Sequence, residues 1–322
     1  MASRQTRSSH FGFTLFITAV AIGGVLCPAA AGAQARIWED RGPIGQLDLY
    51  WGNASPERVP TGPFTFVRED ASATNPKAIV RDARGVEWGV KWDEEVQSEV
   101  AATRLAWAMG LEVEETYYVQ TGQIVFPASR PALHRIGSFV DGAGRFTSPA
   151  RFERRDPEVV SKGRWAFAGN PLARDGGYAV LVLMNVVMAN WDAKDDNNKI
   201  VSITDATGTR DWYLVGDYGA CFGKMGGEFS HSKYTLKDFS KNPPVVTGVS
   251  GQTVHLGYKG KNAEFHESVP LEGARLFASR ASQLSLKQVD DAFRAAHANN
   301  ADREGFAIMV YDRFQQVVTS VR

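Results

Sequence analysis

Cysteine is nearly missing from this chain: 322 residues contain two, Cys27 and Cys221. That scarcity excludes a disulfide framework and a multi-cysteine zinc site. Excess charge is missing too. Lys plus Arg and Asp plus Glu each total 36, so no bulk field of either sign favours nucleic acid or an anionic membrane. Internal repeats and low-complexity tracts are absent, and His134, His231, His255, His266 and His297 show no zinc-ligand spacing. No G-x-S-x-G nucleophile elbow occurs. The stretch Gly219 to Met225 has a phosphate-loop look, but its glycine spacing is one short and Met225 stands where a hydroxyl is needed.

One long apolar run is present, from Phe11 to Leu26, preceded by Arg4 and Arg7 and followed by the small-residue triplets Ala31-Gly32-Ala33 and Ala33-Gln34-Ala35. This pattern predicts a secretory signal peptide over residues 1–35, cut near residue 33 or 35. A retained anchor fits less well, because the run is short for a bilayer and ends at Pro28. A lipid anchor at Cys27 would need a small residue where Leu26 stands. The mature protein is expected to be exported, periplasmic or extracellular, with no membrane span and with Cys221 as its sole cysteine. Its fold must then rest on apolar burial.

Beyond the signal, the chain divides into two parts. Alternation in Gln46 to Trp51, Phe64 to Val67, Ala78 to Arg81 and Trp88 to Trp92 predicts strands, and Glu115 to Val119 predicts another. A helix from about Glu94 to Met109 interrupts them, with Gly110 as its C-terminal stop. These form an expected strand-rich lobe over 36–120. A second, mainly helical lobe is expected over 121–322, opening with an Arg-, Gly- and Pro-rich connection of little periodicity. There Tyr178 to Met188 is apolar nearly all round, as a buried helix is. Lys199 to Thr204 and Asp211 to Val215 read as a hairpin, Gly248 to Gly260 as loop with a short hairpin, and 285–297 and 302–318 as helices. Arg151, Arg154 and Arg155 read as a solvated basic face, His231 as an exposed loop residue and Cys221 as a small buried one.

The chemistry concentrates around the 199–215 hairpin. Asp192 in D-x-K-x-x-N and Asp217 in D-Y-G flank it, and antiparallel pairing brings such positions together. Asp217 and Asn197 offer hard oxygens of the kind Mg²⁺ takes. A carboxylate such as Asp192 suits the orientation and deprotonation of a hydroxyl acceptor, and the charge of Lys194, two residues on, suits stabilisation of a transferring phosphoryl group. In the first lobe Lys91 ends a strand, and Glu99 lies on the inward stripe of the next helix, where a carboxylate needs a partner. The loop between the strands near Phe66 and Ile79 contains Ser72, Thr74 and Lys77 but no glycine. Its backbone amides and the Lys77 ammonium are the candidate phosphate contacts.

These motifs make the region from Phe64 to Gly223 resemble the protein-kinase-like superfamily, closest to HipA-type and related atypical kinases. The resemblance implies a two-lobed α+β fold binding ATP between a strand-rich N-lobe and a mainly helical C-lobe. It implies Lys91 with Glu99 as the nucleotide-orienting pair, Asp192 as catalytic base, and Asn197 with Asp217 as ligands of Mg²⁺ or Mn²⁺. Departures are visible: Asn190-Trp191 precedes the first Asp, Tyr218 replaces Phe, and no Ala-Pro-Glu element comes after it. The implied function is an ATP-dependent phosphotransferase with an unknown protein or small-molecule acceptor. Nucleotidyl transfer on the same scaffold and a catalytically silent binding module are the alternatives.

Overall fold

In the computed structural model, residues 1–2, 33–71, 75–206, 208–227 and 230–322 are described. Most of the expected signal segment, together with Ser72 and Thr74, lies outside the described residues. The chain from Ala33 onward forms one unit.

Alternating apolar residues build the first sheet. Strand β1 (Gln34–Arg36) stands apart from it, while β2 (Phe64–Glu69), β3 (Lys77–Arg81) and β4 (Glu87–Lys91) form an antiparallel meander. Helix α1 (Val96–Ala108) comes next, and then β5 (Thr116–Val119), β6 (Gly122–Val125), β7 (Arg145–Phe146) and β8 (Ala150–Arg155). Together they make a seven-stranded sheet in the order β5-β8-β4-β3-β2-β6-β7. One face of it buries Phe64, Ala78, Val80, Trp88, Val90 and Phe152 in a small aromatic core. Period two then places Lys91, Gly89 and Glu87 on the other face, in register with Arg151, Glu153 and Arg155 of β8. That polar face carries the candidate site.

Helix α1 ends as its sequence demands. Gly110 adopts φ +98, and the amides of Gly110 and Leu111 reach back to the carbonyls of Trp107 and Ala106 in a Schellman arrangement. The ring of Trp38 packs against this glycine and donates to Met109 O at 2.7 Å.

Strand β9 (Val159–Gly163) leaves the first sheet for a second, ordered β1-β11-β10-β9, built on the hairpin β10 (Asn198–Asp205) and β11 (Gly208–Val215). Between β9 and β10 runs helix α2 (Gly176–Val187), capped by Asp175, whose carboxylate accepts from Gly177 N at 2.7 Å. It is buried almost throughout. The remaining elements are α3 (Leu236–Phe239), a small sheet of β12 (Val246–Ser250), β13 (Thr253–Leu256) and β14 (Ser268–Pro270), then α4 (Leu271–Ala281), α5 (Leu286–Ala295) and α6 (Asn300–Ser320). Phe222, Phe239, Phe277, Phe293, Phe306 and Phe314 join α2 in the larger core. No helix among the described residues is long and apolar enough to cross a membrane.

The mixed α+β class is thus as expected, with strands first and helices later. Several elements differ from the sequence reading. Gln46 to Trp51 is a 3₁₀ turn and tight turns rather than a strand, since Leu49 alone of that stretch is buried. The connection of little periodicity holds β6, β7, β8 and β9, so the first sheet runs on to Arg155, past residue 120. Strand β8 was hidden because its site face carries Arg151, Glu153 and Arg155 instead of apolar residues. Helix α4 was not anticipated either.

Candidate active site

Burial of charge organises the site. Lys91 Nζ, at the end of β4, lies 2.5 Å from Glu99 Oε1 on α1, 3.7 Å from Asp217 Oδ1, and in contact with Glu95. Arg151 from β8 closes the other side, 2.7 Å from Glu99 Oε2 and 2.9 Å from Glu153 Oε2. Lys199 pairs with Glu114, extending the network along the sheet face toward a cavity of about 960 Å³ that Glu153, Lys199 and Leu214 help to line. Lys91, Glu95, Glu99 and Arg151 are all buried. Isolated charges at such depth would be prohibitive, so the pairs exist as a network or not at all.

Titration is set by the same crowding. Burial pushes the Lys91 ammonium down, but Glu99, Asp217 and Glu95 outweigh it and hold it well above its ordinary value. Glu99 is pushed up to about 7, chiefly by burial, with Arg151 and Lys91 pulling the other way. Asp217 is also opposed by burial, yet Lys91 and a hydrogen bond from Gly219 N at 2.9 Å help carry it below the usual carboxylate range. Asp217 is therefore an anion at neutral pH.

The second cluster sits at the end of α2. Its last carbonyls, Val186 O and Val187 O, accept from the Arg313 guanidinium of α6 at 2.7 and 2.8 Å, which satisfies groups a helix end leaves unpaired. Asn190 then bonds to Asn185, Asn185 to the ring of buried His266, and Tyr258 donates to Asn190 O at 2.7 Å. This buried polar network fixes the loop that carries Asp192. Asp192 meets Lys194 at 2.9 Å and Lys261 at 2.6 Å, while Asn197 Nδ2 donates to Asp192 O at 2.9 Å and to its Oδ2 at 3.2 Å. Burial raises the Asp192 pKa, but the hydrogen bonds from Lys194 and Lys261 outweigh it, leaving a carboxylate. Gly216 N donates to Asn197 O at 2.7 Å, so the backbone ties the Asp192 loop to the residue before Asp217. Beside this loop opens a cavity of about 460 Å³ lined by Trp191, His231, Lys259 and Lys261.

The structure thus brings Lys91, Glu99 and Asp217 into one cluster, and Asp192, Lys194 and Asn197 into another joined to it through Gly216. Lys77 stands opposite Lys91 in register and its charge helps depress Asp217. Ser72 and Thr74 lie outside the described residues. Arg151 is a correction: it is buried between Glu99 and Glu153, not solvated, because β8 is an inner strand of the sheet. His231 is half-buried and stacked on Trp191 at 3.6 Å rather than an exposed loop residue. Cys221 is buried, with burial raising its thiol pKa well above the ordinary value, so it is no ready nucleophile. Sequence reading missed Glu95, Glu153, Lys233 and Lys261. Glu95 carried a usable signal, since it lies four residues before Glu99 and so on the same helix face.

By the chemistry of their donors, a carboxylate on Asp217 and an amide oxygen on Asn197, these residues are of the kind a hard divalent ion takes. Asp217 is anionic, and Asn197 turns its amide nitrogen to Asp192, which points its carbonyl oxygen away from that carboxylate. Two hard oxygens on joined loops suit Mg²⁺ or Mn²⁺.

The site thus pairs a strand lysine with a helix glutamate and places two aspartates on loops flanking a hairpin. Among solved structures, the chain is similar to the Helicobacter pylori proinflammatory kinase CtkA, at TM-score 0.49 and 10% identity over 81% of this chain and 98% of that one. It is similar to the Golgi casein kinase at TM-score 0.49 and 9% identity, covering 88% of this chain and 83% of that one. The same kinase with Mn/ADP bound gives TM-score 0.46 and 8% identity over 88% and 83%. None of the three is described as HipA-type. No family model matches the chain, and no curated protein does.

Proposed function

We propose that this chain is an exported, kinase-like phosphotransferase that uses ATP with Mg²⁺ or Mn²⁺. One observation carries the reading: buried Lys91 is shared by Glu99 and Asp217, and Asp217 is tied through Gly216 to the loop holding Asp192 and Asn197. Asn197 and Asp217 would hold the divalent ion, which supplies charge neutralisation at the phosphate oxygens when bound. Lys91, oriented by Glu99, contributes an ammonium to the nucleotide phosphates. Asp192 orients the acceptor hydroxyl. Its low basicity, set by Lys194 and Lys261, suits a carboxylate that accepts the proton late rather than one that abstracts it first. The cavity beside Trp191 and Lys261 is the natural approach for the acceptor, which is a protein or a small molecule.

The test uses the chain starting at Gln34, with ATP binding followed by thermal shift in Mg²⁺ or Mn²⁺. Metal-dependent stabilisation that disappears in Asp217→Ala is the expected result. Absence of any stabilisation, or its survival in that variant, refutes the site. Incubation with γ-labelled and α-labelled ATP then separates phosphoryl from nucleotidyl transfer. Binding without transfer of either label marks a silent binding module.

A further inference from the structure

Glu95 is a second helix-side carboxylate on a lysine that already has one. Lys91 already has Glu99 as its helix partner, and a second carboxylate four residues earlier on the same helix face repels the first. Yet Glu95 is buried, and three donors from three separate segments converge on it. Lys91 comes from β4, Lys233 Nζ from the segment after Asp217 at 2.6 Å, and Asn75 Nδ2 from the loop between β2 and β3 at 2.5 Å. The carboxylate oxygens of Glu95, Glu99 and Asp217 lie within 4.8 Å of one another. Space is left for this anion by Gly219, since a Cβ there would fall 2.4 Å from Glu95 Oε2.

Two ammonium groups and an amide directed at one point, beside a candidate metal ligand, make an anion site. From this convergence we infer that Lys233 and Asn75 belong to the nucleotide-phosphate site together with Lys91, and that the Glu95 carboxylate stands in there for a phosphate group. The ligand class is the terminal phosphates of a nucleoside di- or triphosphate. Glu95 must leave Lys91 and Lys233 for the phosphates to enter, so the nucleotide competes with a carboxylate tethered to the protein. This assignment rests on the nucleotide reading proposed above and adds residues that sequence reading did not select. Lys233 lies sixteen positions after Asp217, so the contact also couples phosphate binding to the placement of the segment lining the acceptor cavity.

Calorimetric titration with ATP, ADP, AMP and inorganic tripolyphosphate tests it, using the chain from Gln34 and Mg²⁺ throughout. Glu95→Gln keeps the shape of the side chain and removes its charge, and is expected to tighten ATP and tripolyphosphate about tenfold, leaving AMP unchanged. Adding Lys233→Met to that variant is expected to weaken ATP and tripolyphosphate about tenfold, again sparing AMP. A purely structural ion pair predicts the opposite: Lys233→Met in the Glu95→Gln background would leave every affinity unchanged, and that result overturns the assignment. The two readings fail separately. ATP binding that needs Asp217 but ignores Glu95 and Lys233 overturns only the phosphate assignment. Tripolyphosphate binding that depends on Lys233, with no ATP binding in any variant, upholds the anion site and overturns the nucleotide reading.

Discussion

Arg151→Met is the sharpest perturbation of the buried network. Arg151 is 5% exposed and lies 2.7 Å from Glu99 and 2.9 Å from Glu153, so methionine preserves bulk while removing the charge both carboxylates share. Breaking a buried pair by removing one partner costs about 3–5 kcal/mol, and the lower end applies because Lys199 still acts on Glu153. At about 2–4 °C per kcal/mol for a chain near this size, the melting temperature falls by roughly 6–12 °C. Of the two carboxylates that Arg151 pulls down, Glu153 is the one held below its ordinary value, and it sets the dependence on the acid side. Burial raises its pKa, but Lys199 and Arg151 outweigh burial and push it down to about 2, from 4.5. A depressed carboxylate stabilises the fold above its unfolded pKa, and that stability is lost as pH falls through the folded value. Losing Arg151 lifts the folded value toward 4.5, so the variant's deficit is present at pH 7 and narrows as pH drops below about 4.5. Urea unfolding followed by circular dichroism measures it, in a cycle with Glu153→Gln. A coupling of about 1–3 kcal/mol is expected, because the amide no longer needs the guanidinium. A cost under about 1 kcal/mol at pH 7, or a coupling near zero, refutes the network.

Two further outcomes are expected from the fold and the export proposal. Gly110→Ala places a Cβ 2.3 Å from Trp38 Nε1 and 2.4 Å from Glu39 O at φ +98, and is expected to destabilise by more than about 2 kcal/mol in thermal melts. An unchanged melting temperature would mean that the α1 terminus relaxes freely. Cleavage after Ala33 preserves all of β1, which pairs parallel with β11 through Gln34, Ala35 and Arg36, whereas cleavage after Ala35 leaves only Arg36 of it. Mass spectrometry of the exported protein is therefore expected to find Gln34 at its N-terminus; an intact N-terminus at Met1 or Ala2 would count against export.

Local sequence determined those features whose physics is local. Period-two alternation marked β2, β3 and β4, the continuous apolar run marked α2, and Gly110 marked the end of α1, because each depends on a residue and its near neighbours. The pairing of Lys91 with Glu99 and the approach of the Asp192 loop to the residue before Asp217 were also legible, since strand end, helix stripe and hairpin set them locally. Only tertiary structure decided the partners. Arg151 looked solvated because its strand alternates charged with apolar residues, and the charge is tolerable solely because Glu99 arrives from α1 and Glu153 from the same face. Lys233 and Lys261 likewise acquire meaning from Glu95 and Asp192, 138 and 69 residues away in sequence, a separation that no periodicity spans. Long-range Coulomb pairing in a buried space selects among many surface-like charges, and that selection appears only once the chain has folded.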